Sequence, residues 1–126
     1  MRADLDQLLC DRYPVLFADR HKSVEVSAMG RGFECDDGWF DLIESLCYSI
    51  QWAIENDDMP PVKIRQIKEK FGSLRFHYSG GNESTRGMKA MAENMSVRIC
   101  EKCGAPGILR EDRPYKLTLC DRHAVG

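Results

Sequence analysis

Two ligand pairs near the carboxy-terminal end constrain this chain more than any other feature. Cys100-Glu101-Lys102-Cys103 and Cys120-Asp121-Arg122-His123 each separate two soft donors by two residues, and sixteen residues lie between the pairs. A two-residue gap lets one tight turn bring both side chains onto a single ion. Three thiolates and an imidazole form the donor set of a tetrahedral zinc site. Gly104 follows the first pair, where a residue that accepts positive φ closes such a turn.

Between the pairs, residues 107–110 and 115–119 read as two short strands around a turn at Glu111 to Pro114. Knuckle, hairpin and second ligand pair, in that order, predict a zinc ribbon or a truncated treble clef, since only three residues follow His123. A catalytic zinc keeps one position open for water, whereas four protein ligands close the sphere. The expectation is therefore a structural Zn2+ held by Cys100, Cys103, Cys120 and His123. Its binding free energy, on the order of 10 kcal/mol, would brace a segment too short to form its own core.

The remainder of the chain supplies that core. With 126 residues, 43% hydrophobic and 30% charged, the sequence predicts an α+β domain over 1–99 and a docked zinc-binding segment over 100–126. Its small antiparallel sheet is expected to be packed by one long amphipathic helix. Leu5, Leu8 and Leu9 mark a short helix within 2–12 that stops before Pro14. Val24, Val26 and Ala28 alternate and predict a strand over 23–28, with a return strand at Phe33 to Cys35 after the Gly30/Gly32 turn. Trp39, Ile43, Leu46, Ile50 and Ala53 recur at helical spacing, behind Asp36 or Asp37 as a cap, and predict the long helix.

Residues 62–78 read as a β-hairpin bent at Gly72, its apolar face carrying Val62, Ile64, Leu74, Phe76 and Tyr78. The opposite face would carry Lys63, Arg65, Arg75 and His77, with Lys68 and Lys70 near the tip. Ser79-Gly80-Gly81-Asn82 forms a loop. Met88, Met91, Ala92, Met95 and Ile99 then line one face of a second helix that runs almost into Cys100.

Composition narrows the setting. No leader pattern opens the chain, and its longest apolar run, Val15 to Ala18, falls far below the roughly 18 residues of a membrane span. A cytoplasmic protein with no membrane partner is expected, in which Cys10, Cys35 and Cys47 stay reduced. The net charge of −2 hides an asymmetry: residues 1–61 hold 5 Lys and Arg against 13 Asp and Glu, and residues 62–126 hold 13 against 7. Either the halves neutralise one another, or the chain offers an acidic face to a basic partner or a basic face to nucleic acid.

Catalytic signatures are missing. The sequence has no phosphate-binding loop, dinucleotide fingerprint or nucleophile elbow. His21 and His77 stand alone in their segments, and nothing in the sequence brings Cys35 beside either. The chain is not expected to be an enzyme.

Four strings carry a resemblance: Gly38-Trp39-Phe40-Asp41-Leu42-Ile43, Lys68-Glu69-Lys70-Phe71-Gly72-Ser73-Leu74-Arg75-Phe76, Cys100-Glu101-Lys102-Cys103-Gly104-Ala105-Pro106-Gly107 and Cys120-Asp121-Arg122-His123-Ala124. Together they resemble a group of small phage- and prophage-encoded zinc-binding proteins without a settled activity, over residues from about 36 onward. The resemblance implies a viral accessory protein in a bacterial host cell, of the sort that binds and inhibits a host macromolecular complex, including a defence complex. Such a protein partner is the first functional expectation, with the acidic first half as its surface. The second is a nucleic-acid-binding module that uses the basic 62–78 hairpin together with Lys102, Arg110, Arg113, Lys116 and Arg122.

Overall fold

The computed structural model describes residues 1–125 and shows an α+β architecture. Helix α1 spans Ala3–Arg12, and strand β1 is the two-residue segment Phe33–Glu34. A 3-10 turn at Asp37–Trp39 leads into α2, Phe40–Asn56. Strands β2 (Val62–Lys70) and β3 (Ser73–Gly80) form the hairpin, followed by α3, Glu83–Ser96. The tail adds β4 (Ile108–Arg110), β5 (Leu117–Leu119) and the one-turn helix α4 (Asp121–Ala124).

The predicted stripe of α2 forms the centre of the core. Trp39, Ile43, Cys47 and Ile50 are fully buried and join Ile64, Ile67, Leu74 and Phe76 of the sheet, with Leu9 of α1 and Leu16 closing the same cluster. Burial of side chains this size removes roughly 1.5–3 kcal/mol each from water, which makes the α2-on-sheet contact the main stabilising layer. A bulge between Ile64 and Gln66 breaks the alternation of β2, so Ile67 and not Gln66 continues the inward row.

Several expectations need correction. Residues 23–28 form no strand: Val24 and Val26 are 52% and 65% exposed, and Ser27 caps a 3-10 turn at Ala28–Arg31 by accepting from the Met29 N–H. Alternation alone cannot make a strand where no neighbouring strand lies within reach to complete the ladder. Without that first arm, Phe33–Glu34 is not a return strand. It pairs parallel with β2, Phe33 opposite Ile67, and α2 is the crossover that parallel pairing demands. The main sheet is therefore mixed, in the order β1-β2-β3, and not purely antiparallel. Nor do Asp36 and Asp37 cap the long helix with their side chains: Asp37 accepts from the Arg2 backbone N–H at 2.7 Å, and Asp36 pairs with Lys102 at 2.7 Å.

Helix α3 lies along the free edge of β3. Ser96 Oγ accepts from the Leu74 N–H at 2.9 Å, and a Glu93 carboxylate oxygen accepts from the Phe76 N–H at 3.0 Å. The helix thereby satisfies strand donors that would otherwise invite another chain to pair. Its own start carries a capping box built on Asn82 and Thr85.

Candidate metal centre and exposed surfaces

Cys100, Cys103, Cys120 and His123 converge so that their ligand atoms all lie within 4.8 Å of one another. Cys103 Sγ and Cys120 Sγ are 3.8 Å apart, and His123 turns Nδ1 toward the group, 3.7 Å from Cys100 Sγ and 3.3 Å from Cys120 Sγ. Among the described residues this is the one cluster able to hold a metal ion. Local geometry explains the convergence. The Gly104 N–H donates to the Cys100 carbonyl at 2.8 Å, closing the first turn, and Gly104 adopts φ +83°, as its position in the sequence predicts. Strands β4 and β5 return the chain to the same point, and α4 presents His123 one turn after Cys120.

One of the three thiols, that of Cys100, is tuned toward thiolate. Burial would raise the Cys100 thiol, but backbone N–H groups of Cys120, Cys103 and Lys102 aim at its sulfur and outweigh that effect, lowering its pKa to about 6. Cys100 is buried, Cys120 and His123 are half-buried, and only Cys103 is exposed. The chemistry of three thiols and one imidazole fits a soft or borderline divalent ion.

The ligand cluster is seated on the body of the fold. The Gly38 N–H donates to the Glu101 carbonyl at 2.7 Å, and Trp39 Nε1 donates to the Ile99 carbonyl at 3.0 Å. Glu101 is buried against the same junction, where its carboxylate accepts from the Asp36 N–H at 3.0 Å; burial, assisted by Asp36 and Glu69, pushes its pKa up to about 7. On the far side, the Glu101 N–H donates to Thr118, and Thr118 Oγ1 donates to the Gly72 carbonyl at 2.7 Å, tying the hairpin tip to β5. The segment after Ile99 is thus joined to the start of α2 and to the tip of the β2–β3 hairpin, and the Gly107 N–H adds a bond to the Arg98 carbonyl at 2.8 Å.

The remaining cysteines take no part. Cys35 and Cys47 are buried and Cys10 half-buried, and burial raises all three thiols, Cys35 to about 12 and Cys10 to about 11.

The charged surface agrees in part with the expectation that the two halves neutralise one another. Asp19 is buried on the outer side of the hairpin and gathers Lys22 at 2.8 Å, Arg65 at 3.0 Å and Lys63 at 3.8 Å. These cations hold its carboxyl below the usual range, with Lys22 the main cause. Two cations of the expected basic face are therefore committed to an acid from the first half. Lys102 is likewise paired with Asp36, Arg110 with Asp121 at 2.9 Å, and Arg113 donates to the Ala124 carbonyl. The acids of α1 are equally engaged, Asp6 with Arg20 and Asp4 with Arg2. Tyr13 donates to Glu44 of α2.

The apolar face read on α3 is left open: Met88, Met91 and Met95 form with Leu42, Leu46 and Ile99 a groove of about 380 Å³ between α2 and α3. Met91 is 69% exposed. Helical periodicity identifies the apolar stripe but not whether another element covers it. No described helix is long and apolar enough to cross a membrane.

No family model matches this chain, and neither the curated proteins nor the solved structures contain a match.

Proposed function

We propose that this chain is a non-catalytic binding protein, braced by a structural zinc, that docks a partner protein in the groove between α2 and α3. The observation that carries this reading is the groove itself. Soluble domains rarely leave clustered apolar side chains open to water, as Met91 and Met95 are here, and flexible thioethers adapt to an incoming apolar face. Its long, two-helix shape suits an amphipathic helix of the partner. The phage accessory setting implied by the four resembling strings supplies the context, in which the partner is a component of a host complex and docking inhibits it in the bacterial cytoplasm.

Zinc is the ion we assign to the Cys3His cluster. A tetrahedral ion bound at about 2.3 Å to sulfur and about 2.0–2.1 Å to nitrogen requires edges of about 3.8 Å between sulfurs and about 3.6 Å between sulfur and nitrogen. The 3.8, 3.7 and 3.3 Å separations among these ligands lie close to those edges. With four protein donors the ion serves as a brace, holding β4 and β5 against the hairpin tip and the start of α2.

The test compares immobilised wild-type protein with Met91→Glu in a bacterial host extract. Met91 is largely exposed, so the variant folds. Wild type is expected to retain a stoichiometric protein that Met91→Glu releases. Equal retention by both, or retention of nothing by wild type, refutes the groove as the working surface.

A further inference from the structure

The hairpin tip departs from its own turn chemistry. Lys70 and Ser73 pair across the strands, leaving Phe71 and Gly72 as a two-residue loop with φ +55° and +83°. Positive φ at both positions is the type I′ turn, which favours asparagine, aspartate or glycine first. A phenylalanine in the left-handed region is strained, and this one recovers nothing by burial: its ring is 65% exposed. Lys70 Nζ sits over the ring, 5.4 Å from its centroid.

Facing this ring across a cleft of about 570 Å³ is the β4–β5 turn, which contributes Pro114, Tyr115 and Lys116. Tyr115 is 82% exposed, the most open aromatic of the described residues. The two turns are held in register from behind. A Cβ on Gly72 would meet Leu109 Cδ1 at 2.4 Å, and Thr118 Oγ1 donates to the Gly72 carbonyl. The β4–β5 turn thus presents one aromatic and one lysine opposite another aromatic and another lysine, and the Glu69 carboxylate that also lines the cleft is engaged by the Gly72 N–H at 2.7 Å. Lys116 is engaged only by Glu111 at 3.8 Å across an exposed gap, which leaves its charge largely available.

We infer that this cleft binds single-stranded nucleic acid, stacking an unpaired base between Phe71 and Tyr115 while Lys70 and Lys116 take the flanking phosphates. Two aromatic faces accept any base, and two flanking ammonium groups suit a polyanionic backbone better than an apolar peptide side chain. A duplex keeps its bases stacked internally and offers them no face. This site is independent of the α2/α3 groove.

The experiment is fluorescence anisotropy of zinc-loaded protein with a labelled twelve-nucleotide oligothymidylate and with a duplex of equal length. Wild type is expected to bind the single strand at least tenfold tighter than the duplex. The logarithm of affinity should fall against the logarithm of salt with a slope near −1.4, about 0.7 for each of two phosphates. Tyr115→Ala should weaken binding about tenfold to a hundredfold. Phe71→Gly removes the ring and the backbone strain together, so it should melt no lower than wild type while losing binding to the same degree. Met91→Glu should bind the oligonucleotide as wild type does. Absence of binding at low salt, equal affinity for the duplex, or wild-type affinity in both aromatic variants overturns the inference. So does a result in which Phe71→Gly and Tyr115→Ala lose a captured protein but no oligonucleotide is bound, since the cleft is then a protein contact.

Discussion

Replacing Gly38 by alanine should uncouple the metal-binding segment from the body without touching a ligand. An added Cβ at this position would stand 2.1 Å from the Cys100 carbonyl oxygen and 2.4 Å from that of Glu101. Carbon–oxygen contacts normally settle at roughly 3.3–3.6 Å, so the 100–101 backbone must recede by about 1 Å. Both atoms in the way are backbone, held by the ligand turn on one side and by β5 on the other, and neither can rotate aside. Retreat breaks the 2.7 Å bond from the Gly38 N–H to Glu101 and the 3.0 Å bond from the Asp36 N–H to its carboxylate. It also strains the Trp39 indole bond to Ile99. Each hydrogen bond contributes about 1 kcal/mol net, and a buried donor left unpaired costs about 1–3 kcal/mol. The sum is about 2–4 kcal/mol, large for a single methyl group. Urea unfolding followed by tryptophan fluorescence, with zinc in excess, measures it; metal stoichiometry by mass spectrometry should stay at one ion per chain. A change below about 0.5 kcal/mol would show that the junction at Gly38 does not hold the two parts together.

Metal removal is the complementary perturbation. Wild type should carry one zinc per chain, and chelation should lower the melting temperature and expose the amides of Glu101 and Leu119 to hydrogen exchange before those of Ile64 and Phe76; substoichiometric metal in freshly purified protein contradicts a structural ion. Asp19→Asn should destabilise by about 1–3 kcal/mol at pH 7, less than for a sealed ion pair because Lys22, Lys63 and Arg65 are partly hydrated. The Asp19 carboxyl is held below its ordinary value, so this contribution is present above the unfolded-state pKa of about 3.9 and disappears as pH falls through the lower folded-state value. The gap between wild type and variant, measured by denaturation, should be constant from pH 7 to pH 5 and close below pH 4. Iodoacetamide at pH 8 should leave Cys35 and Cys47 of the zinc-loaded protein unmodified and reach all six cysteines only after chelation and unfolding, as counted by intact-mass spectrometry.

The ligand set was legible because it is local. Each pair spans one turn across its two-residue gap, closed by Gly104 in the first pair and formed by α4 in the second. The stripe from Trp39 to Ala53 was legible for the same reason: one helical periodicity places those side chains on one side, whatever lies opposite. The Val62–Gly80 hairpin could also be read, although the bulge at Ile64/Gln66 could not, because it shifts the inward row without changing the local composition.

What failed were statements about neighbours. Val24 and Val26 alternate as strand residues do, yet a strand exists only when a second backbone meets its donors and acceptors, and here none does. Phe33–Glu34 is a strand as its sequence suggested, but its partner is β2, in parallel, and not an arm over 23–28. Asp19 is one acid among thirteen in the first half, and nothing near it in sequence announces that Lys63 and Arg65 close over it. The methionines of α3 were recognised as one apolar face, but whether such a face is covered depends on how α2 and α3 are set against the sheet.

By itself, then, the sequence determined the elements whose cause lies within a few residues: the ligand turns, the helix periodicity and the bend of the hairpin. The tertiary structure decided which surfaces remain open. It left the α2/α3 groove uncovered, paired Lys63, Arg65 and Lys102 of the second half with Asp19 and Asp36 of the first, and brought Phe71 and Tyr115 to one cleft. The physical reason is that exposure is a property of packing between distant segments. A side chain's burial depends on what the rest of the chain places over it, and residue spacing along the sequence does not encode that.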